Sequence, residues 1–321
     1  MERRLSAGSL GVVLLAAGLS CASAGLGRFA SPVHADHPLV GLVWSRASGG
    51  PIGWRVLERR VAAARFVLLG ETHDNPDHHR LQARLVAQLA GGVRAGRPEG
   101  ARPPGVAFEM LALGLQPEID AFQAAPARDP DAFAERVGWA GSGWPPFALY
   151  WPIFRVALDA GLPILAAGRV RGEPDDPAAP ERQARFGLAE PLPPAEQAAL
   201  VERMFASHCQ LIPREQLGPM IEMQRARDAR MAWALLRAAE AQGRAVLIAG
   251  AGHVAGGAVP ALLERAGVAR EEILSLAFLE VEPGRVRVED TEAGGFDLAV
   301  FSPAAEREDP CEGLRRRLGR P

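Results

Sequence analysis

Arg65-Phe66-Val67-Leu68-Leu69-Gly70-Glu71-Thr72-His73-Asp74-Asn75-Pro76-Asp77-His78-His79 is the stretch on which the fold turns. Its first six residues form a short apolar run ending in glycine, which reads as a strand buried on both faces. Asn75 and Pro76 then open a helix, because asparagine suits the N-cap and proline the first helical position. That helix is expected to reach about residue 89, with Leu81, Leu85, Val86 and Leu89 along one side.

The alternation continues outward. Residues 105–109, 163–167, 244–250 and 272–280 read as further buried strands, and 296–301 as a last edge strand. Helices are expected near 195–208, 215–242 and 254–266, with another ending near Gly161. Residues 119–137 hold short helical pieces broken by Pro126 and Pro130, and 173–194 reads as an exposed, proline-rich excursion. Apolar strands alternating with helices predict an α/β fold: a mostly parallel sheet flanked by helices, with a smaller helical subdomain inserted over roughly 112–225.

The 321 residues carry 36 basic and 38 acidic side chains, a formal net charge of -2, with all the basic charge on arginine. That balance argues against nucleic acid as a partner. A hydrophobic content of 48% is that of a globular chain. Three cysteines are too few for a disulfide framework. The N-terminus reads as a signal peptide over 1–24: Arg3 and Arg4 precede a short apolar run and then small residues. Ala22-Ser23-Ala24 suits ordinary cleavage, whereas Leu19-Ser20-Cys21 resembles the end of a lipobox in which Cys21 is acylated. Both processing routes stay open. The chain is expected to be exported to the periplasmic side, as an outer-membrane lipoprotein whose only membrane contact is its lipid anchor. Residues 25–38 are expected to be a flexible leader, 39–302 the folded domain and 303–321 a disordered tail. Pairing of Cys209 with Cys311 is left undecided.

In parallel sheets ligands bind outside the carboxyl ends of the strands. Four side chains are expected there: Glu71 and His73 after the first strand, Glu109 at the end of the second, and His253 after the fourth. Carboxylates and imidazoles together suit a divalent transition metal or general acid–base work. Gly250-Ala251-Gly252-His253-Val254-Ala255 also spells a dinucleotide fingerprint, but it lies late in the chain and carries a bulky histidine. It reads better as a tight turn. Neither a G-x-S-x-G elbow nor a Walker loop is present.

Tyr150, the single tyrosine, lies among Trp144, Phe147, Trp151 and Phe154. It is either helix-entry packing with a capped hydroxyl or a phenolate ligand in an apolar slot, tyrosinate being one of the ligands of haem iron. Arg155 stands nearby to favour a phenolate or pair a propionate. Arg225 and Asp228 share a helix face, as a surface ion pair or with Arg225 reaching the site.

These residues together resemble the ChaN-like, cofacial-haem-binding family. The likeness is carried by 70–79, Phe108-Glu109-Met110, Tyr150-Trp151-Pro152-Ile153-Phe154, the strand at 161–167, His208-Cys209, the Gln224-to-Met231 segment and 246–254, spread over about residues 40–300. The resemblance implies an exported, often lipid-anchored haem-binding protein of iron or haem uptake. It implies two haems stacked between the protomers of a homodimer, and a haem-uptake receptor as a further partner. It makes Tyr150 the iron ligand, assisted by His73 or His79, with Glu71, Glu109 and His253 shaping the pocket. The sequence departs from the family pattern at Gly168-Arg169, where the family often has asparagine and a basic residue. The wider superfamily includes Tiki proteases and erythromycin esterases. It therefore carries the alternative of a metal-dependent hydrolase in which Glu71, His73, Glu109 and His253 hold a divalent transition metal.

Overall fold

Two short strands, β1 (Val43–Ser45) and β2 (Gly50–Pro51), precede the first helix, α1 (Trp54–Ala63), and the buried strand β3 (Phe66–Glu71). The computed structural model describes residues 25–91, 102–126, 128–169 and 179–319. The expected signal peptide and Cys21 lie outside them. After β3 come α2 (Pro76–Gly91), β4 (Gly105–Ala112), α3 (Gln116–Ala124), α4 (Pro130–Arg136), α5 (Phe147–Asp159) and β5 (Ile164–Gly168). The second half holds α6 (Ala179–Phe186), α7 (Pro194–Ser207), α8 (Gly218–Gln242), β6 (Ala245–Gly250), α9 (Ala251–Val254) and α10 (Val259–Arg265). It closes with β7 (Ile273–Glu280), β8 (Leu298–Ser302) and α11 (Pro310–Arg317).

The strands form one sheet of order β2-β1-β8-β7-β3-β6-β4-β5. It is parallel from β8 to β5 and antiparallel only where β1 joins β8 and β2. The mostly parallel α/β fold predicted from the sequence is therefore present. Glu71 pairs with Gly250 across β3 and β6, and Phe108 pairs with Ile248 across β4 and β6. This register brings the carboxyl ends of the three central strands to one edge.

Both faces of the sheet are covered, as period-two alternation requires. Val67, Leu69, Val106 and Phe108 face a core shared with Leu81, Leu85, Tyr150 and Phe154. Phe66, Leu68, Ala107 and Leu247 face the opposite core, against Leu235 and Leu263. The alanines of α8 let it lie close to the sheet: a Cβ added to Gly105 would stand 2.9 Å from that of Ala238. Asn75 caps α2 as expected, its Oδ1 accepting the Asp77 N–H at 2.9 Å.

Several boundaries differ from the sequence reading. Residues 25–38 are not a free leader. Leu26 is buried, the N–H groups of Ala30 and Ser31 donate to the Asp77 carboxylate at 2.9 and 2.8 Å, and Val33 bridges Ala304. The 303–321 tail is ordered through residue 319: α11 is capped by Asp309, and Cys311 is disulfide-bonded to Cys209. The expected edge strand is interior, because β1 and β2 extend the sheet beyond β8. The excursion at 173–194 contains α6, which buries Arg182 and Phe186. The helix read over 254–266 is two helices, parted where Gly256 N–H donates to Gly295 O at 3.0 Å. The proposed insertion over 112–225 is not a purely helical block, since β5 returns the chain to the sheet.

Candidate functional site

Glu71 leaves the end of β3 buried, and three side chains gather on it. The Tyr150 hydroxyl donates to its Oε1 at 2.8 Å, and His73 Nδ1 lies 3.0 Å from the same oxygen. His79 Nε2, from α2, stands 3.2 Å from Oε2. That last contact lies off the hydrogen-bonding line, so Oε2 and both ring nitrogens of His79 are buried without a hydrogen bond. Burial alone would raise the Glu71 carboxyl. The charge of His79, the hydrogen bond of His73 and the charge of His73 outweigh burial and hold it at about 2.

A second cluster stands beside it. Glu109 takes the Gly250 N–H on Oε2 at 2.8 Å, while Oε1 lies 3.1 Å from His253 Nε2. The other ring nitrogen of His253 donates to Asp228 of α8, with the Gln224 amide 3.0 Å away. His253 thus lies between two carboxylates. Burial would depress it, but the charges of Glu109 and then Asp228 raise it to about 10, so it is an imidazolium at neutral pH. Glu109 is correspondingly held at about 2: the charge of His253 overcomes the burial that would raise it.

His73 links the clusters, its Nε2 standing 3.8 Å from Glu109 Oε2. Gly250 makes that approach feasible, since an added Cβ would lie 2.9 Å from His73 Nε2. Trp144 packs edge-on against the imidazole at 4.8 Å. The His73 side chain is 33% exposed, in contrast to the fully buried His79 and Tyr150. His78 belongs to the fold instead. Its Nδ1 accepts the Thr72 N–H at 2.9 Å and Nε2 meets Ser302 Oγ at 2.9 Å, while burial lowers it to about 4 and keeps it neutral.

His73 and His253 open onto a cleft of about 900 Å³ between α7, the first half of α8, and the turns around Gly252 and Glu282. Leucines and methionines make its apolar lining, Met204, Met220 and Met223 among them, and Arg203 and Arg227 stand in its wall. Such a lining, with the half-buried imidazoles of His73 and His208 and cationic arms, suits a largely apolar ligand with a few polar groups.

The four strand-end residues do meet at one edge of the sheet. Their oxygens and nitrogens face one another, and among the described residues no three His, Cys, Asp or Glu side chains are arranged to hold a metal ion. Tyr150 packs in the core with its hydroxyl capped. It does not line the cleft, its hydroxyl is bound to Glu71, and burial followed by the Glu71 charge raises its pKa. In this arrangement it is a buried proton donor, not an open phenolate. Arg225 pairs with Glu222 at 3.1 Å and with the Glu190 carbonyl, so of Arg225 and Asp228 it is Asp228 that reaches the site. Arg155 pairs with Asp159. Sequence reasoning missed Gln224 as a site residue and Asp228 as the partner of His253. Their spacing of four, which puts both on one face of a helix, was the available signal.

The model of the family described as haem-binding uptake, Tiki superfamily, ChaN, matches residues 57–263. Among solved structures, ChaN of Campylobacter jejuni, described with cofacial heme binding, superposes with a TM-score of 0.60 at 19% identity, covering 80% of this chain and 95% of that one. A mutant of the erythromycin esterase EreC, in its open conformation, gives a TM-score of 0.39 at 15% identity, covering 82% of each chain. The type III effector HopBA1 gives 0.38 at 14%, covering 77% of this chain and 91% of that one. No curated protein matches the chain. With a fold that superposes on ChaN and a family match over more than half of the chain, the chain belongs to the haem-binding uptake family of the Tiki superfamily.

Proposed function

We propose that the protein binds haem in the cleft at the carboxyl ends of β3, β4 and β6, with His73 as the side chain presented to the iron. The observation that carries this is the one-third exposed imidazole of His73 at the floor of an apolar, arginine-bearing cleft. Bound haem would supply an iron centre and two carboxylates. The chain's own groups do the rest. Glu71 orients His73 through Nδ1, while the Tyr150 hydroxyl holds Glu71. Ligation by the Tyr150 phenolate would require that hydrogen bond to break.

An absorption titration with ferric haem separates the two arrangements. His73→Ala is expected to weaken binding by about tenfold or more, the scale of a lost charge-assisted contact. Tyr150→Phe is expected to keep the wild-type spectrum. If Tyr150→Phe instead abolishes a high-spin charge-transfer band and His73→Ala leaves it, tyrosinate is the ligand. Failure of wild type to bind haem at all removes the reading.

Export and anchoring through Cys21 are part of the same proposal. They are supported by the arginine-flanked apolar N-terminus and by the Cys209–Cys311 disulfide, a bond that persists in oxidising compartments. Haem stacked between two protomers, for delivery to an uptake receptor, is supported by the cofacial binding described for the Campylobacter protein. Sedimentation during haem titration tests it: a complex that stays monomeric at saturation is incompatible with stacking.

A further inference from the structure

We infer that the Cys209–Cys311 disulfide is a redox latch on the cleft: oxidised, it pins α7 in place as one wall; reduced, it lets α7 swing out and the ligand leave. The latch rests on the haem reading for the identity of that ligand and adds to it a control over release.

The wall that α7 provides is weakly held by its own contacts. Leu200 and Met204 of α7 and His208 at its end line the cleft, yet no residue of α7 is fully buried. Its ion pairs, Glu202 with Arg214 at 2.6 Å and Glu196 with Arg265 at 2.9 Å, lie in solvent, where such pairs contribute little. The turn that follows is unfavourable in its backbone. Cys209 and Gln210 have φ of 56° and 59°, the left-handed region that disfavours any residue with a side chain. A helix so placed needs a fastening, and the disulfide supplies it.

The other end of the fastening is firm. Glu280, at the carboxyl end of β7, accepts the Ala305 N–H at 2.9 Å and both terminal nitrogens of Arg307 at 2.7 and 2.6 Å. Arg307 Nε donates at 2.7 Å to Asp74, the residue after His73. Cys311 lies four residues after Arg307, a reach of at most about 14 Å. Residues 303–311 are therefore a strap, fixed at one end to the sheet edge beside His73 and at the other to the turn after α7. Cutting it at the sulfur atoms leaves the sheet edge as it was and frees the helix. Both cysteines are half-buried and have exposed neighbours in Gln210 and Glu312, so a reductant can reach them. A dithiol donor supplies two electrons and two protons: its thiolate attacks one sulfur, a mixed disulfide forms, and its second thiol resolves it. The products are two cysteine thiols and the donor's own disulfide.

The test uses the full chain and gallium(III) protoporphyrin IX, whose metal keeps its oxidation state under reductant. Transfer of the porphyrin to excess apomyoglobin is timed before and after treatment with tris(2-carboxyethyl)phosphine. Reduction should speed release at least about tenfold, a modest share of what severing an intramolecular link can cost. Cys209→Ser/Cys311→Ser should release at the fast rate in both conditions. Trypsin gives a readout free of ligand: cleavage after Arg203, on α7, should accelerate on reduction, while cleavage after Arg84, on α2, stays slow. Equal release rates in the two redox states overturn the latch and leave haem binding standing. Equal acceleration at Arg203 and Arg84 also overturns it, by showing that the bond holds the whole fold. A wild type that binds neither haem nor the gallium porphyrin removes the haem reading, and cleavage at Arg203 then decides the latch alone.

Discussion

A buried carboxyl ordinarily titrates above its solution value, because burial penalises the charged form. Glu71 and Glu109 do the reverse, which fixes how the protein responds to pH. Both are held at about 2 against an ordinary 4.5, so their stabilising contribution is complete above 4.5 and is lost as pH falls through 4.5 towards 2. His253 is raised to about 10 from 6.5, so its contribution is complete below 6.5 and is lost as pH climbs towards 10. The urea midpoint should form a plateau between those limits and decline on each side. A midpoint that rises from neutral to alkaline pH would contradict the imidazolium at His253. Glu109→Ala should cost about 3–5 kcal/mol in urea unfolding, since it deprives a buried imidazolium of one of its two counter-charges. Glu109→Gln should move the His253 titration, followed by NMR, back towards its ordinary value. At this scale the sequence told which residues would stand at the strand ends, because strand-then-turn order decides that. It did not tell what they would bind. The pairing of Asp228 with His253 depends on the rotation of α8 about its own axis, which α8's small apolar side chains fix through packing on the sheet.

Two glycines separate what an element needs for its shape from what the site needs for its ligand. A Cβ on Gly168 would fall 1.8 Å from the Glu109 carbonyl oxygen, where β5 runs against the irregular part of β4. That obstacle is backbone and cannot swing away. Gly168→Ala should therefore destabilise by more than about 3 kcal/mol, at or beyond the usual range of overpacking, or prevent soluble expression. At Gly250 the obstacle is the tip of His73, a side chain that can rotate. Gly250→Ala should unfold within about 1 kcal/mol of wild type yet weaken haem binding. Thermal melts and haem titrations on the same two variants would show whether stability and binding separate in this way. The interior strands and α2 were readable because their apolar runs and caps are local signals. The β1–β2 pair was not, since three residues and two residues carry too little alternation to register. The irregularity that prolongs β4 past Glu109 is set by a neighbour distant in sequence, at Gly168.

Across the whole molecule, the disulfide joins the turn after a cleft helix to a C-terminal helix in which no residue is fully buried. Cys209 and Cys311 are 102 positions apart. A closed loop of that size contributes about 2–5 kcal/mol, so Cys209→Ser should lower the melting temperature by several degrees and leave the sheet intact. Hydrogen exchange should then rise in α11 and at the end of α7 while β3, β6 and β7 stay protected. An equal rise throughout the sheet would show that the bond supports the global fold instead. Composition could not settle this pairing, because a count of cysteines says nothing of which two the fold brings together.

Asn75 opens the motif helix, yet the groups that brace its amide arrive far later: Glu280 at 2.7 Å and a separation of 205 residues, and the Pro303 carbonyl at 3.0 Å and a separation of 228. A chain emerging from the ribosome thus carries Glu71, His73 and His79 for most of its synthesis without the segment that finishes their setting. Such long closures slow folding, and they leave the motif helix without its full bracing until the last strand of the sheet has been made.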